Sequence, residues 1–149
     1  MLTLLNPISK IKLTFHGPVI LDDDGQVAAW QKMTITTPDD EFTISAGDMN
    51  GYMVETNPRS SRSWSPDGKY LALYIAHGIV DKKRFSGCTF AALELEYGER
   101  IEFVNKRGNV VNKANFYGWY KNKPHVIQKE TDRTNVFEEA FPVDEVAKK

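Results

Sequence analysis

Residues 62–76 read RSWSPDGKYLALYIA, and the fold follows from this stretch. Its first half contains Pro66, Asp67 and Gly68, a tight-turn tripeptide. Proline presets its own φ, aspartate hydrogen bonds to the nearby backbone, and glycine accepts a positive φ. Over residues 69–76 the side chains then alternate between two faces, and both faces are largely apolar. A strand with two apolar faces is packed on both sides, so we predict an interior strand here.

Alternating segments lie on both sides of this strand. Upstream, residues 10–15 alternate lysine and threonine with apolar side chains, and residues 22–25 form an Asp-Gly hairpin signal before a long strand over residues 26–36. Downstream, residues 88–97 and 100–104 form a further strand pair. In total, eight to ten short strands with almost no helical periodicity predict a mainly β fold.

The strand pattern leaves the architecture open between an antiparallel sandwich, a half-barrel and a curved meander sheet. At most one short helix is expected: residues 134–147 form either a helix interrupted at Pro142 or a surface segment. The length of 149 residues predicts a single β domain over residues 1–149, which buries roughly 68–70% of its unfolded surface.

Charge and hydropathy bound the class of protein. The chain has 19 basic and 20 acidic side chains, and this balance argues against a dedicated nucleic-acid binder, which carries a basic excess. No apolar run approaches the roughly 18 residues of a membrane span. The first residues lack the basic region of a secretory signal, so we expect a cytoplasmic protein with no membrane association.

The segment Trp64–Leu73 is similar to the phrase that opens a strand in WD-type and Tol-type β-propeller repeats. Residues 88–97, 98–99 and 100–104 extend this resemblance as the next blade strand, its turn and the strand after it. Because a blade of four strands takes roughly 40 residues, a chain of 149 residues is too short to close a propeller. The resemblance implies blade-like antiparallel strands and nothing about the ligands of propellers.

No constellation of residues predicts a metal, a cofactor or an enzyme. The histidines His16, His77 and His125 have no metal-ligand spacing, and residues 22–25 lack the alternating ligands and distant glutamate of a calcium loop. Glycine-rich phosphate loops, nucleophile elbows and Cys-x-x-Cys pairs are missing from the sequence. The single cysteine, Cys88, lies in an apolar alternating stretch and is predicted to be a small buried side chain.

A small, cysteine-poor β domain without catalytic residues resembles, as a class, the immunity proteins of bacterial toxin systems. This resemblance implies a non-catalytic protein that neutralises a cognate protein toxin, for example a nuclease, by covering its active site. If the strands run up and down in order, the turns at residues 22–25 and 47–51 share one end of the sheet. The predicted acidic rim at that end consists of Asp22, Asp23, Asp24 and Asp48, with Met49 and Tyr52 as apolar anchors.

Two other functions fit the same sequence. A small β adaptor or accessory subunit would use this surface on a different partner. A nucleic-acid module would use the basic and aromatic side chains that interleave over residues 106–123, although the balanced charge makes this use less expected. The glutamates Glu94, Glu96 and Glu102 are expected to form the solvated face of a sheet.

Overall fold

A computed structural model describes residues 1–54, 63–105, 108, 110–111, 116–121, 123–129 and 137–143. Eleven strands lie in this part of the chain: β1 (Leu2–Leu5), β2 (Lys12–Leu21), β3 (Val27–Thr36), β4 (Glu41–Ser45), β5 (Gly51–Met53), β6 (Tyr70–His77), β7 (Gly87–Glu94), β8 (Arg100–Asn105), β9 (Phe116–Tyr120), β10 (Lys123–Lys129) and β11 (Phe137–Pro142).

All eleven strands belong to one antiparallel sheet with the order β1-β2-β3-β5-β6-β7-β8-β11-β10-β9, and β4 pairs with β3 beside this path. The predicted mainly β, antiparallel fold is confirmed, with one strand more than the upper estimate. The meander order holds from β5 to β8 and is broken by β11, which inserts between β8 and β10.

The predicted interior strand is β6, which pairs with β5 on one side and with β7 on the other. Leu71, Leu73 and Ile75 are buried in one hydrophobic core. Ala72 and Ala76, which point to the opposite face, are buried in two further clusters. Both faces of β6 are therefore covered, as the alternation of apolar side chains predicted.

The sheet curves strongly around its first core. In the strand order β2 and β7 are four places apart, which corresponds to roughly 19 Å in a flat sheet. Nevertheless Leu13 and Phe15 of β2 lie in the same buried cluster as Leu93 of β7. The β2–β3 face thus packs against the β6–β7 face, and the short strand β5 between them occupies the bend.

The turn before β6 is fixed by its own side chains and by the start of the chain. The hydroxyl of Ser65 donates to Asp67 Oδ1 at 2.7 Å, and Asn6 Nδ2 donates to the carbonyl of Gly68 at 2.9 Å. Gly68 has a φ of 76°, and a Cβ at this position would lie 3.1 Å from Ile8. Only glycine meets both conditions without strain, which explains the turn tripeptide.

The C-terminal expectation was wrong for residues 137–142, which form the strand β11 between β10 and β8. Glutamate and alanine favour a helix locally, but pairing on both sides satisfies the backbone and buries Ala140. Pro142 ends the strand, where it removes little pairing. The rest of the predicted segment lies outside the described residues, apart from Val143.

The burial expected for Cys88 was also wrong, because its side chain is exposed. Cys88 pairs with Ala76 near the start of β7, whereas β8 pairs with β7 only from Ala91 to Leu93. The first residues of β7 therefore extend beyond the end of β8 and have less of the sheet to cover them.

We predict that Leu73→Ala lowers the free energy of unfolding by roughly 2–5 kcal/mol, because it removes buried methyl groups and leaves a cavity in β6. Urea unfolding measures this loss. Lys32→Ala, an exposed position on β3, is the matched control and should change stability by no more than about 0.5 kcal/mol. A loss below about 1 kcal/mol for Leu73→Ala would contradict the central position of β6.

Candidate functional site

The two predicted acidic turns, in residues 22–26 and 46–50, lie at one end of the sheet together with the β6–β7 loop, residues 78–86. We call these three segments the loop end. The β6–β7 loop links the other two segments. Leu21 N donates to the carbonyl of Lys82 at 2.8 Å, and Ile79 N donates to the carbonyl of Met49 at 2.7 Å. Both acidic turns are therefore in contact with the same loop.

Charges of both signs meet at the loop end. Asp22, Asp23, Asp24 and Asp48 are exposed, but the β6–β7 loop adds Lys82, Lys83 and Arg84 beside them. Lys83 Nζ lies 3.9 Å from Asp23 Oδ1, and Arg84 forms a 2.8 Å ion pair with Asp81. The predicted acidic rim is therefore bordered by cations that the sequence analysis did not place there. The contact that brings them joins segments about 60 residues apart in sequence, which local patterns do not reveal.

One of the four predicted aspartates, Asp22, has a structural role within the fold, and so has the nearby Asp81. Asp22 Oδ1 accepts hydrogen bonds from Asp24 N and Gln26 N, both at 2.9 Å, so this carboxylate holds the hairpin turn. Hydrogen bonds from Lys83 N and from the Arg84 side chain lower the pKa of the neighbouring Asp81. The role of the exposed aspartates in partner binding stays a prediction.

The two predicted anchors have opposite environments. Tyr52 is only 4% exposed and packs edge-on against Phe15, with ring centroids 6.4 Å apart. It belongs to the core, so its assignment as a surface anchor was wrong: at its position on β5 the side chain faces the inside of the bend. Burial raises the pKa of Tyr52 to about 12. Met49 is 61% exposed and remains available to a partner.

A second surface, which the sequence did not reveal, lies at the opposite end of the sheet. We call it the acidic groove. It has a volume of about 1010 Å³. Among the described residues, its lining contains six carboxylates and one lysine. These lining residues are Ser9, Ile11, Thr37, Asp39, Asp40, Phe42, Asp67, Gly68, Lys69, Tyr70, Glu94, Leu95, Glu96, Tyr97 and Glu99.

Three turns position the groove, and each has its own hydrogen bonds. In the β3–β4 turn, Thr37 N donates to the carbonyl of Asp40 at 2.8 Å. In the β7–β8 turn, Gly98 N donates to the carbonyl of Glu94 at 2.9 Å. A Cβ on Gly98 would lie 3.1 Å from Ile44, so glycine allows this turn to pack closely on β4. The third turn, before β6, completes the wall.

The carboxylates of the groove fall into two groups. Asp67 accepts from Ser65 and Lys69 N, and Glu94 accepts from the backbone N–H groups of Glu96 and Tyr97. Asp40 Oδ1 accepts from Glu41 N at 2.8 Å, so these three acids stabilise turns. Asp39, Glu96 and Glu99 are exposed at the rim. The second group is free to contribute charge to a ligand without loss of the turn structure.

The groove has a negative electrostatic field. The lining carries a net charge of −5, from six carboxylates and Lys69. The charge of Glu96 and its hydrogen bond raise the pKa of Tyr97, and burial together with the charges of Asp67 and Glu94 raises the pKa of Tyr70. A surface with this field attracts cations, and its aromatic walls of Phe42, Tyr70 and Tyr97 offer flat apolar area.

Sequence reasoning missed the groove because its acids come from turns that are far apart along the chain. Glu94, Glu96 and Glu102 were expected to alternate on one solvated strand face. Instead β7 ends at Glu94, which bonds the following turn, while Glu102 lies on β8 away from the groove. The only local signal was the density of acids at residues 94–99 around a glycine turn.

The basic and aromatic segment over residues 106–123 is only partly described. Phe116 and Trp119 are buried in the second core, and Trp119 stacks on Tyr70 with ring centroids 5.9 Å apart. These two rings are therefore occupied in packing. Lys106, Arg107 and Lys113 lie outside the described residues.

The described residues contain neither a metal-ligand cluster nor a membrane-spanning helix. Among them, no group of three or more His, Cys, Asp or Glu side chains is placed to hold a metal ion. No helix within the same residues has the length and apolar character needed to cross a membrane.

Comparison with known proteins gives one short similarity. A stretch of 75 residues, 48% of this chain, is 35% identical to mannan endo-1,4-beta-mannosidase 3 of Arabidopsis thaliana. The chain spans 18% of the length of that relative. No family model matches the chain, and no solved structure matches it.

We predict that the stability of the protein falls as the pH rises from 10 to about 12, and that Tyr52→Phe removes part of this fall. The raised pKa keeps Tyr52 protonated in the folded state, while the unfolded chain already loses this proton near pH 10. The contribution of Tyr52 to the stability of the folded state is thus fully present below pH 10 and is lost as the pH rises through this interval. Urea midpoints of both proteins across the interval measure the difference, and identical pH profiles would contradict the prediction.

Proposed function

We propose that this chain is a non-catalytic protein-binding protein of the cytoplasm, an immunity protein that neutralises a cognate protein toxin by covering its active site. The observation that carries the proposal is the acidic groove, with six carboxylates against one lysine on an open, partly aromatic surface. Toxins that act on nucleic acids carry basic active sites for phosphate, so a negatively charged groove complements a toxin such as a nuclease.

The groove is better suited to this role than the loop end. Its exposed rim carboxylates Asp39, Glu96 and Glu99 are charges of one sign. At the loop end, by contrast, Lys82, Lys83 and Arg84 lie beside the aspartates and weaken the field that a basic partner meets. We therefore place the contact with a basic toxin at the groove and not at the predicted aspartates of the loop end.

The physical contribution of the groove is to the rate of association. Opposite charges on two surfaces steer their encounter and raise the association rate constant, and salt screens this effect over about 10 Å at 0.1 M ionic strength. Deep affinity requires buried anchors, and the rings of Phe42, Tyr70 and Tyr97 supply apolar area for them within the groove.

A small β adaptor would use the same groove on a basic partner that is not a toxin. The test is expression of the product of the neighbouring reading frame, with and without this protein. The immunity proposal expects toxicity that co-expression relieves. A product that is harmless alone supports the adaptor, and toxicity regardless of co-expression refutes immunity. A nucleic-acid module is disfavoured, because the groove repels phosphates.

We predict that Asp39→Asn, Glu96→Gln and Glu99→Gln, combined in one variant, slow association with the neighbouring gene product by roughly tenfold or more at low salt. The three side chains lie on the rim, and Asp67 and Glu94, which hold turns, stay unchanged. Stopped-flow binding measures the rate constant at several salt concentrations.

The matched control for the groove variant carries Asp23→Asn, Asp24→Asn and Asp48→Asn at the loop end, and it removes the same number of charges. Its association rate should change much less. Equal slowing of the two variants would show that net charge, and not the groove, steers the partner. No slowing of the groove variant would place the contact elsewhere.

The mannosidase similarity supports a second candidate function, glycan binding. Aromatic rings beside hydrogen-bonding carboxylates suit flat sugar rings with hydroxyl groups, and the groove holds both. Calorimetric titration with β-1,4-linked mannan oligosaccharides tests this use. A heat of binding that Tyr97→Ala abolishes would favour glycan binding. The absence of binding at millimolar sugar, a concentration that corresponds to a binding free energy of about −4 kcal/mol, would exclude it.

A further inference from the structure

We propose that the loop end is a self-association surface, through which two copies of this chain form a symmetric dimer. The proposal does not depend on the function of the acidic groove, since it concerns the opposite end of the sheet. β3, β6 and β7 each run from one end to the other: β3, for example, begins after residues 22–26 and ends before the groove residue Thr37. Ten strand residues separate the two ends by roughly 33 Å.

Three large apolar side chains are exposed at the loop end. Met49 is 61% exposed, Val80 66% and Phe85 37%. The backbone brings them together: Ile79, which precedes Val80, donates to the carbonyl of Met49, and Val80 N donates to the carbonyl of Arg84, which precedes Phe85. A cluster of exposed apolar side chains on a polar surface is typical of the centre of an interface.

Charges of both signs border this apolar centre. Lys82 and Lys83 follow Val80 in the same loop, and the hydrogen bond from Leu21 N to the Lys82 carbonyl brings the acidic turn of Asp23 and Asp24 beside them. The only ion pair between the two segments among the described residues is Lys83 with Asp23, at 3.9 Å and with both side chains largely exposed. A contact this long and solvated leaves most of each charge available to another molecule.

This arrangement commits the surface to one occupant. A foreign partner of a single charge would meet repulsion from either the lysines or the aspartates. A second copy, rotated by 180°, places its lysines opposite the aspartates of the first and its aspartates opposite the lysines, and it brings the two apolar centres together. Such self-complementarity is what a twofold interface requires.

The dimer leaves both acidic grooves free, because they lie at the far ends of the two sheets. Its stability rests on the apolar centre, while the charge pairs set the orientation and exclude other partners. A stable interface of this kind covers about 800 Å² on each copy, so the turns that surround the apolar centre must take part in the contact.

Sedimentation velocity of the purified protein without any partner tests the proposal, and wild type is expected to sediment as a dimer. Val80→Ser with Phe85→Ser removes two of the three apolar side chains of the centre and should give the monomer mass, half that of wild type. Two charge variants should also give monomers: Asp23→Lys with Asp24→Lys makes the border predominantly basic, and Lys82→Glu with Lys83→Glu makes it predominantly acidic. Asp22, Asp81 and Arg84 stay unchanged because they hold the turns.

The decisive measurement is the mixture of the two charge variants. Each repels itself and complements the other, so the mixture should form heterodimers, and the four substitutions combined in one chain should restore the dimer. Glu41→Lys with Glu102→Lys, two exposed positions away from the loop end, makes the same charge change as the basic variant and should leave the dimer intact.

A wild-type circular dichroism spectrum and a single cooperative unfolding transition show that the variants fold, although a monomeric variant is expected to unfold at a lower midpoint because it lacks the stabilisation by the second copy. A wild-type protein that is monomeric at every concentration, or charge variants that dimerise alone and do not pair in the mixture, would overturn the proposal. Because no toxin, glycan or other ligand enters these measurements, their outcome is independent of the function proposed for the groove.

Discussion

Burial of both faces of one strand is the constraint on which the rest of this structure depends. β6 places Leu73 and Ile75 in the first core and Ala72 in the second, so other parts of the chain must cover this strand on both of its faces. A flat sheet has no second layer to do this. The sheet therefore curves until β2 and β3 cover one face of β6 and β7, while the strands after β7 supply residues such as Phe103 and Phe116 to the other.

The strands place a packed middle between two sets of turns, and this arrangement bears on the proposed function. The middle of the sheet holds the packed side chains, and the turns at each end carry the charges. Turns fixed by their own hydrogen bonds, such as those of Ser65 with Asp67, present side chains in one geometry and lower the entropy cost of binding. A fold of this kind suits recognition of another molecule at its ends.

The two ends differ in their electrostatics, and this difference decides the roles proposed for them. In the part of the chain that the structure describes, the groove gathers carboxylates from three turns with Lys69 as the one cation, whereas the loop end mixes aspartates with Lys82 and Lys83. A field of one sign favours a partner of opposite charge, and a mixed border favours a copy of itself. The near-neutral total charge of the chain conceals both patterns, because it averages over ends that lie far apart.

The sequence by itself determined the local structure: the turn at Pro66–Gly68, the interior strand after it, the hairpin at residues 22–25 and the antiparallel β class. These features depend on alternation and turn chemistry, which act over a few residues. Tertiary structure alone decided that Tyr52 is buried, that residues 137–142 form a strand, that lysines border the predicted acidic rim and that six carboxylates line one groove. Each of these depends on the curvature and strand order that bring distant segments together, and local pattern does not encode such contacts.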